Sequence, residues 1–169
     1  VGFLHVITGD GKGKTTSAVG LAVRARSRGL RVLFARFMKT GEDGETALLA
    51  RLEIDVITYE RVLSPLFNPE ADPGAIREAA LDALSDLRGR LSDYGLVVLD
   101  EFVCLIDARV ITIREALAFV AGRPGGTELV LTGRGAPEEL IARADYAMDI
   151  RDLKHPARTG TPARPGIEY

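Results

Sequence analysis

The segment Gly9-Asp10-Gly11-Lys12-Gly13-Lys14-Thr15-Thr16 alternates glycine with polar residues and then ends in two hydroxyls. Glycine reaches positive φ without strain and lets an anion approach the main chain. Successive N–H groups in such a turn point into one concavity, and a helix that starts there adds partial positive charge. Lys14 supplies a mobile cation, and the Thr15 hydroxyl suits Mg²⁺, or Mn²⁺ in its place. All eight residues are candidate contacts to the phosphates of a nucleotide. The spacing is unusual. A common phosphate loop reads G-x-x-x-x-G-K-[ST], whereas only three residues separate Gly9 from Gly13, and position eight is Thr8. A tighter loop, with phosphates seated differently from those of an ordinary hydrolase, is expected.

Carboxylates come next. Asp100 and Glu101 follow the apolar run Leu96-Val97-Val98-Leu99. A carboxylate at a strand end binds Mg²⁺ directly or through water. Glu101 is the expected direct ligand with Thr15, and Asp100 stands behind it. The two motifs are expected at adjacent strand ends; the alternative is a carboxylate pair that caps the next element. Arg134, between Gly133 and Gly135, is well shaped for phosphate oxygens, or belongs to a surface turn. Lys39 lies after another strand and carries the same two readings. Arg24, on the helix after the loop, either reaches a ribose or is solvated. His5 reads as a satisfied core histidine, His155 as a weak ligand candidate, and Cys104 as a packed small hydrophobe.

These residues need elements to position them. Strands are predicted over 3–8, 31–37, 54–59, 96–99, 128–132 and 146–153, the last at an edge. Helices are predicted over 15–28, 44–52, 73–91, 112–121 and 137–144. In the longest, Ile76, Ala80, Ala83, Leu84, Leu87 and Leu91 share one face. Asp72 and Pro73 suit its N-terminus. Thr112 with Glu115 makes a capping box, and Gly29 stops the first helix. Alternating strands and helices imply an α/β fold with a mostly parallel six-stranded sheet and helices on both faces. Ligands of such sheets bind beyond the carboxyl ends of the strands. One domain is expected over 1–169, with an irregular tail over 154–169 that holds Pro156, Pro162 and Pro165.

Composition limits the partners. The 169 residues carry 22 Lys and Arg against 24 Asp and Glu, for a net charge of −2. No bulk attraction to nucleic acid or to an anionic membrane follows. A single cysteine rules out an intrachain disulfide, and a reducing cytoplasm is the expected location. No run is long enough to span a bilayer. The first residue is Val1 and not Met, so further residues are expected upstream.

Beyond the loop, a series of segments falls in a familiar order: Thr8-Gly-Asp-Gly-Lys-Gly-Lys-Thr-Thr16, Arg36-Phe-Met-Lys39, Asn68-Pro-Glu-Ala-Asp72, Val98-Leu-Asp-Glu101, Leu131-Thr-Gly-Arg-Gly135, Leu153-Lys-His155 and Gly166-Ile-Glu-Tyr169. The chain resembles the P-loop ATP:corrinoid adenosyltransferases over nearly its whole length. The resemblance implies a RecA-like fold and a nucleotide seated in reversed orientation. A corrinoid reduced to Co(I) would attack the 5′ carbon of ATP and release triphosphate. Lys14 and Glu101 would be catalytic. Val62, Leu63, Leu66 and Phe67, just before Asn68, would contact the corrinoid. Family members place aromatic residues there, whereas this stretch offers aliphatic residues and Phe67. A homodimer and a flavoprotein reductase that supplies Co(I) are also implied. Two other functions stay open on the residues alone: a small P-loop kinase or NTP hydrolase, and a nucleotide-gated binding module.

Overall fold

Short apolar and β-branched runs pair along their lengths because a strand buried on both faces tolerates no polar alternation. The computed structural model describes residues 1–39 and 44–167. Its strands are β1 (Leu4–Thr8), β2 (Val32–Arg36), β3 (Asp55–Thr58), β4 (Leu96–Asp100), β5 (Glu128–Thr132) and β6 (Tyr146–Asp149). They form one sheet in the order β3-β2-β4-β5-β1-β6, and every pairing is parallel. The predicted edge position of the last strand holds. β6 stops at Asp149 and not at Leu153, because the chain then turns back over the loop after β1.

Side chains of the central strands alternate between two cores. Val97 and Leu99 join one buried cluster, while Leu96 and Val98 join the other. Helix α1 (Lys14–Ser27) and α2 (Gly44–Arg51) cover one face through Ala18, Ala22 and Leu49. Helix α3 (Pro73–Arg90) covers the other, and all six residues of its predicted apolar face are buried. Asp72 accepts from the Ala75 amide at 2.8 Å, as the capping signal predicts. Helix α5 (Ile113–Ala121) starts at the predicted capping box of Thr112 and Glu115. Arg77 of α3 binds Glu115 at 2.6 Å and so ties the two helices together.

Two elements differ from the sequence signals. Helix α4 (Phe102–Asp107) has no counterpart among the predicted helices: its six residues, Phe-Val-Cys-Leu-Ile-Asp, show no helical period, and the Glu101 side chain before them makes no cap hydrogen bond. Helix α6 (Glu138–Ile141) is only four residues long. Over its described residues, 154–167, the tail is irregular except for a 3-10 turn over Pro156–Thr159. Glu168 and Tyr169 of the terminal motif lie outside the described residues. No described helix is long and apolar enough to cross a membrane.

Candidate active site

The glycine loop joins β1 to α1, and its conformation explains its composition. Gly9 and Gly13 have φ of 104° and 119°, a region closed to ordinary side chains. Gly11 is needed for a different reason: a Cβ there would lie 2.7 Å from the Ile150 carbonyl. The Gly11 amide donates to that same carbonyl at 2.7 Å. The segment after β6 thus braces the loop from behind. Lys14 curls back and donates to the carbonyls of Gly9 and Gly11, each at 2.7 Å. Burial, and then the neighbouring positive charge of Arg134, hold its amine below the ordinary lysine range.

The loop and the carboxylate pair are not on adjacent strands, contrary to the expectation. β5 lies between β1 and β4, and the gap is spanned by hydroxyls. Asp100 is fully buried. Its Oδ1 accepts from Thr15 Oγ1 at 2.9 Å and from Thr132 Oγ1 at 2.7 Å. Its Oδ2 accepts from Lys39 Nζ at 2.7 Å. Burial acts to lower the Lys39 pKa, but the charge and hydrogen bond of Asp100 outweigh it and raise the pKa overall. Thr132 also accepts from the Glu101 amide at 3.0 Å. The side chain of Asp100 meets the Thr15 hydroxyl directly, whereas the Glu101 carboxylate is held by Cys104, whose thiol donates to Oε2 at 2.8 Å.

Lys14, Thr15, Lys39, Asp100, Glu101 and Arg134 are therefore gathered at one end of the sheet. Asp10, Lys12, Thr16 and Arg134 have exposed side chains. Arg24 is not gathered with them. It projects into solvent ten residues beyond Lys14, about 15 Å along the axis at the rise of an α-helix. In the loop after β3, Val62 is 1% exposed and belongs to the core, and Leu63 packs against it. Leu66 and Phe67 are 80% and 79% exposed. The Val62 carbonyl accepts from the Met38 amide at 3.0 Å, which joins this loop to the segment that carries Lys39. His5 is satisfied as expected, bonded to Glu128 at 2.6 Å and stacked on Tyr146.

Three features escaped the sequence reading. Thr132 bridges the Asp100 carboxylate and the Glu101 backbone amide, and its place at a strand end before Gly133 is the available signal. Cys104 bonds the Glu101 carboxylate, a role that its reading as a packed small hydrophobe does not include. Lastly, a cavity of about 740 Å³ flanks the loop, lined by Gly9, Asp10, Asp149, Arg151 and Arg158 among others. No local pattern marks its far wall, which comes from the tail.

Thr15, Asp100 and Glu101 offer hydroxyl and carboxylate oxygens, the donor chemistry of a hard divalent cation. No group of three His, Cys, Asp or Glu side chains forms a closed metal cluster among the described residues.

Comparison with known proteins completes the picture. The family model described as ATP:corrinoid adenosyltransferase BtuR/CobO/CobP matches residues 1–169. The chain is 34% identical to corrinoid adenosyltransferase CobA of Salmonella typhimurium over 175 residues, covering 99% of this chain and 86% of the relative. It is 32% identical to the corrinoid adenosyltransferase of Escherichia coli over 174 residues, with coverage of 99% and 86%. Among solved structures, the flagellar accessory protein FlaH of Methanocaldococcus jannaschii superposes with a TM-score of 0.57 at 13% identity, over 87% of this chain and 70% of that one. This last likeness speaks to the α/β P-loop fold alone. On the full-length match and the curated relatives, the chain belongs to the ATP:corrinoid adenosyltransferase family.

Proposed function

We propose that this protein transfers the 5′-deoxyadenosyl group of ATP to the cobalt of a corrinoid reduced to Co(I), with release of inorganic triphosphate. The observation that carries this reading is the tight glycine loop with Lys14, set against the Asp100–Glu101 pair, in a chain that matches the family from end to end. In the reaction the cobalt supplies the electron pair. That pair becomes the cobalt–carbon bond, the bond from C5′ to the phosphate oxygen breaks, and triphosphate leaves with the C5′–O bonding pair. Cobalt goes formally from Co(I) to Co(III). No general base is required.

The chain's own task is electrostatic and positional. Charge develops on the oxygen leaving C5′ and spreads over the triphosphate. The loop amides, Lys14 and Arg134 are the donors that would stabilise it. Lys14 would exchange the carbonyls of Gly9 and Gly11 for phosphate oxygens. Mg²⁺, or Mn²⁺, would be held by Thr15 and Glu101, with Asp100 behind them, and would supply further positive charge against the phosphates. Gly9, Asp10, Gly11, Lys12, Gly13 and Thr16 complete the phosphate side, with Lys39 at its edge. Arg24, exposed on α1 about 15 Å along the axis from Lys14, stays the candidate for the ribose and not for the phosphates.

For the corrinoid, Leu66 and Phe67 are the exposed apolar groups that would meet a macrocycle, with Leu63 half-buried against the core and Val62 within it. They would keep water from Co(I). The chain as a whole is read as one domain. The partners implied are a flavoprotein that donates the electron and a second copy of this chain, in a reducing cytoplasm consistent with the lone thiol.

The test is an anaerobic assay with ATP and chemically reduced corrinoid. A light-sensitive adenosylated product together with stoichiometric triphosphate is the expected result. Release of ADP and phosphate, with no cobalt–carbon product, would overturn the reading.

A further inference from the structure

Glu101 has an unusual backbone. It precedes α4 as the N-cap, with φ of 63° and ψ of 15°, in the left-handed region. An ordinary N-cap residue is extended, and its side chain accepts from the backbone N–H three residues on. Glu101 does neither. The Cys104 amide donates to the carbonyl of Glu101 at 3.1 Å, so helix capping leaves the carboxylate free. A carboxylate on a left-handed residue at a helix edge has no packed turn to fix its rotamer. Its Oε2 is bonded to the Cys104 thiol at 2.8 Å. The same sulfur accepts from the backbone amide of Arg134 at 3.3 Å. The approach between these segments is close: a Cβ on Gly133 would lie 2.8 Å from the Cys104 amide nitrogen and 3.1 Å from its sulfur.

We propose that Cys104 is a positioning residue that aims the Glu101 carboxylate and couples it to the Arg134 segment. The thiol donates on one side and accepts on the other, so movement of either partner is felt by the second. Its hydrogen bonds run to the Glu101 carboxylate and the Arg134 amide, so it acts through Glu101. The inference rests on the proposed role of Glu101.

The test compares Cys104→Ser, which keeps a donor and an acceptor, with Cys104→Ala, which keeps neither. For Cys104→Ala, turnover falls about tenfold, the size expected on losing a hydrogen bond to a charged group. The Mg²⁺ concentration that half-saturates equilibrium ATP binding rises, while the corrinoid KM and the melting temperature stay at the parent values. Cys104→Ser recovers most of the loss. The chain has one cysteine, so a single S–H stretching band is expected in the infrared. It should lie at lower frequency in the parent than in Glu101→Ala. Equal loss in the Ser and Ala variants, parent turnover in Cys104→Ala, or an S–H band unmoved by Glu101→Ala would each overturn the inference alone. Parent turnover in Glu101→Gln would instead remove the role of Glu101 and, with it, this inference.

Discussion

The Lys39 ammonium lies 2.7 Å from Asp100 Oδ2, at the ends of two neighbouring strands. Asp100 is fully buried, while a quarter of the Lys39 side chain is exposed. Replacing Lys39 with Met leaves a buried carboxylate without its counter-charge. A loss of about 3 kcal/mol is expected, the low end for breaking a buried pair, since Thr15 and Thr132 still hold Oδ1. Because the Lys39 pKa is raised on folding, its contribution is complete below the ordinary lysine value of 10.5 and fades as pH rises through the raised one. Urea unfolding of parent and Lys39→Met should therefore differ by a constant amount across neutral pH, and converge only at strongly alkaline pH.

Glu101 and Glu115 are both bonded at the start of helices, yet their charges do different things. Glu101→Gln should cut turnover on the order of a hundredfold, as for loss of a preorganised charge, and leave the melting temperature unchanged. Glu115→Gln should leave turnover unchanged and cost about 1 kcal/mol of stability at neutral pH. The Arg77 hydrogen bond, with those of Thr112, pulls the Glu115 carboxyl down to about 2. Its contribution is present above the ordinary value of 4.5 and is lost as pH falls toward about 2. Denaturation curves at neutral pH and near pH 2, together with steady-state rates, check both halves.

The loop after β3 separates packing from contact within a few residues. Leu66→Ser and Phe67→Ser alter side chains that are 80% and 79% exposed. Their effect on stability should stay within about 0.5 kcal/mol. The corrinoid KM should rise, with the ATP KM unchanged. Val62→Ser removes core volume and should cost roughly 2–3 kcal/mol, with normal kinetics in the folded fraction. Initial rates with each substrate varied, paired with thermal melts, separate the two outcomes.

Gly11→Ala tests the brace behind the phosphate loop. The added methyl would fall within 3 Å of backbone atoms of Ile150 and Arg151, neither of which can swing aside as a side chain would. The expected outcome is loss of ATP binding by calorimetry, with far-ultraviolet dichroism unchanged. Gly20→Ala is the control: it has open space around its Cβ and should bind ATP normally.

Much of this protein was determined by local sequence. Strand and helix order, the Asp72 cap, the Thr112–Glu115 box and the phosphate loop all rest on interactions within a few residues, and each has a residue-type signature. The buried faces of α3 and β4 follow from periodicity. The parallel sheet follows from the alternation of elements, because a parallel pair needs a crossover. The chemistry of Lys14, Thr15, Asp100 and Glu101 is legible because glycines and carboxylates at strand ends have few other reasons to be there.

Strand order was decided by tertiary structure alone. Insertion of β5 between β1 and β4 depends on which faces pack best over the whole sheet, and no local window contains that comparison. It is this order that makes the hydroxyl of Thr132 the bridge between Asp100 and Glu101. Likewise, helix α4 forms in an apolar run without a period because it is buried, and only then does the Cys104 thiol reach Glu101. The contact of Ile150 with Gly11 spans 139 residues of chain. A residue that far away leaves no mark on the spacing of the loop. Val62 and Phe67, similar in sequence character, are separated by five positions and by the whole distance from core to solvent, since a turn of the backbone and not hydrophobicity sets which side chain faces in.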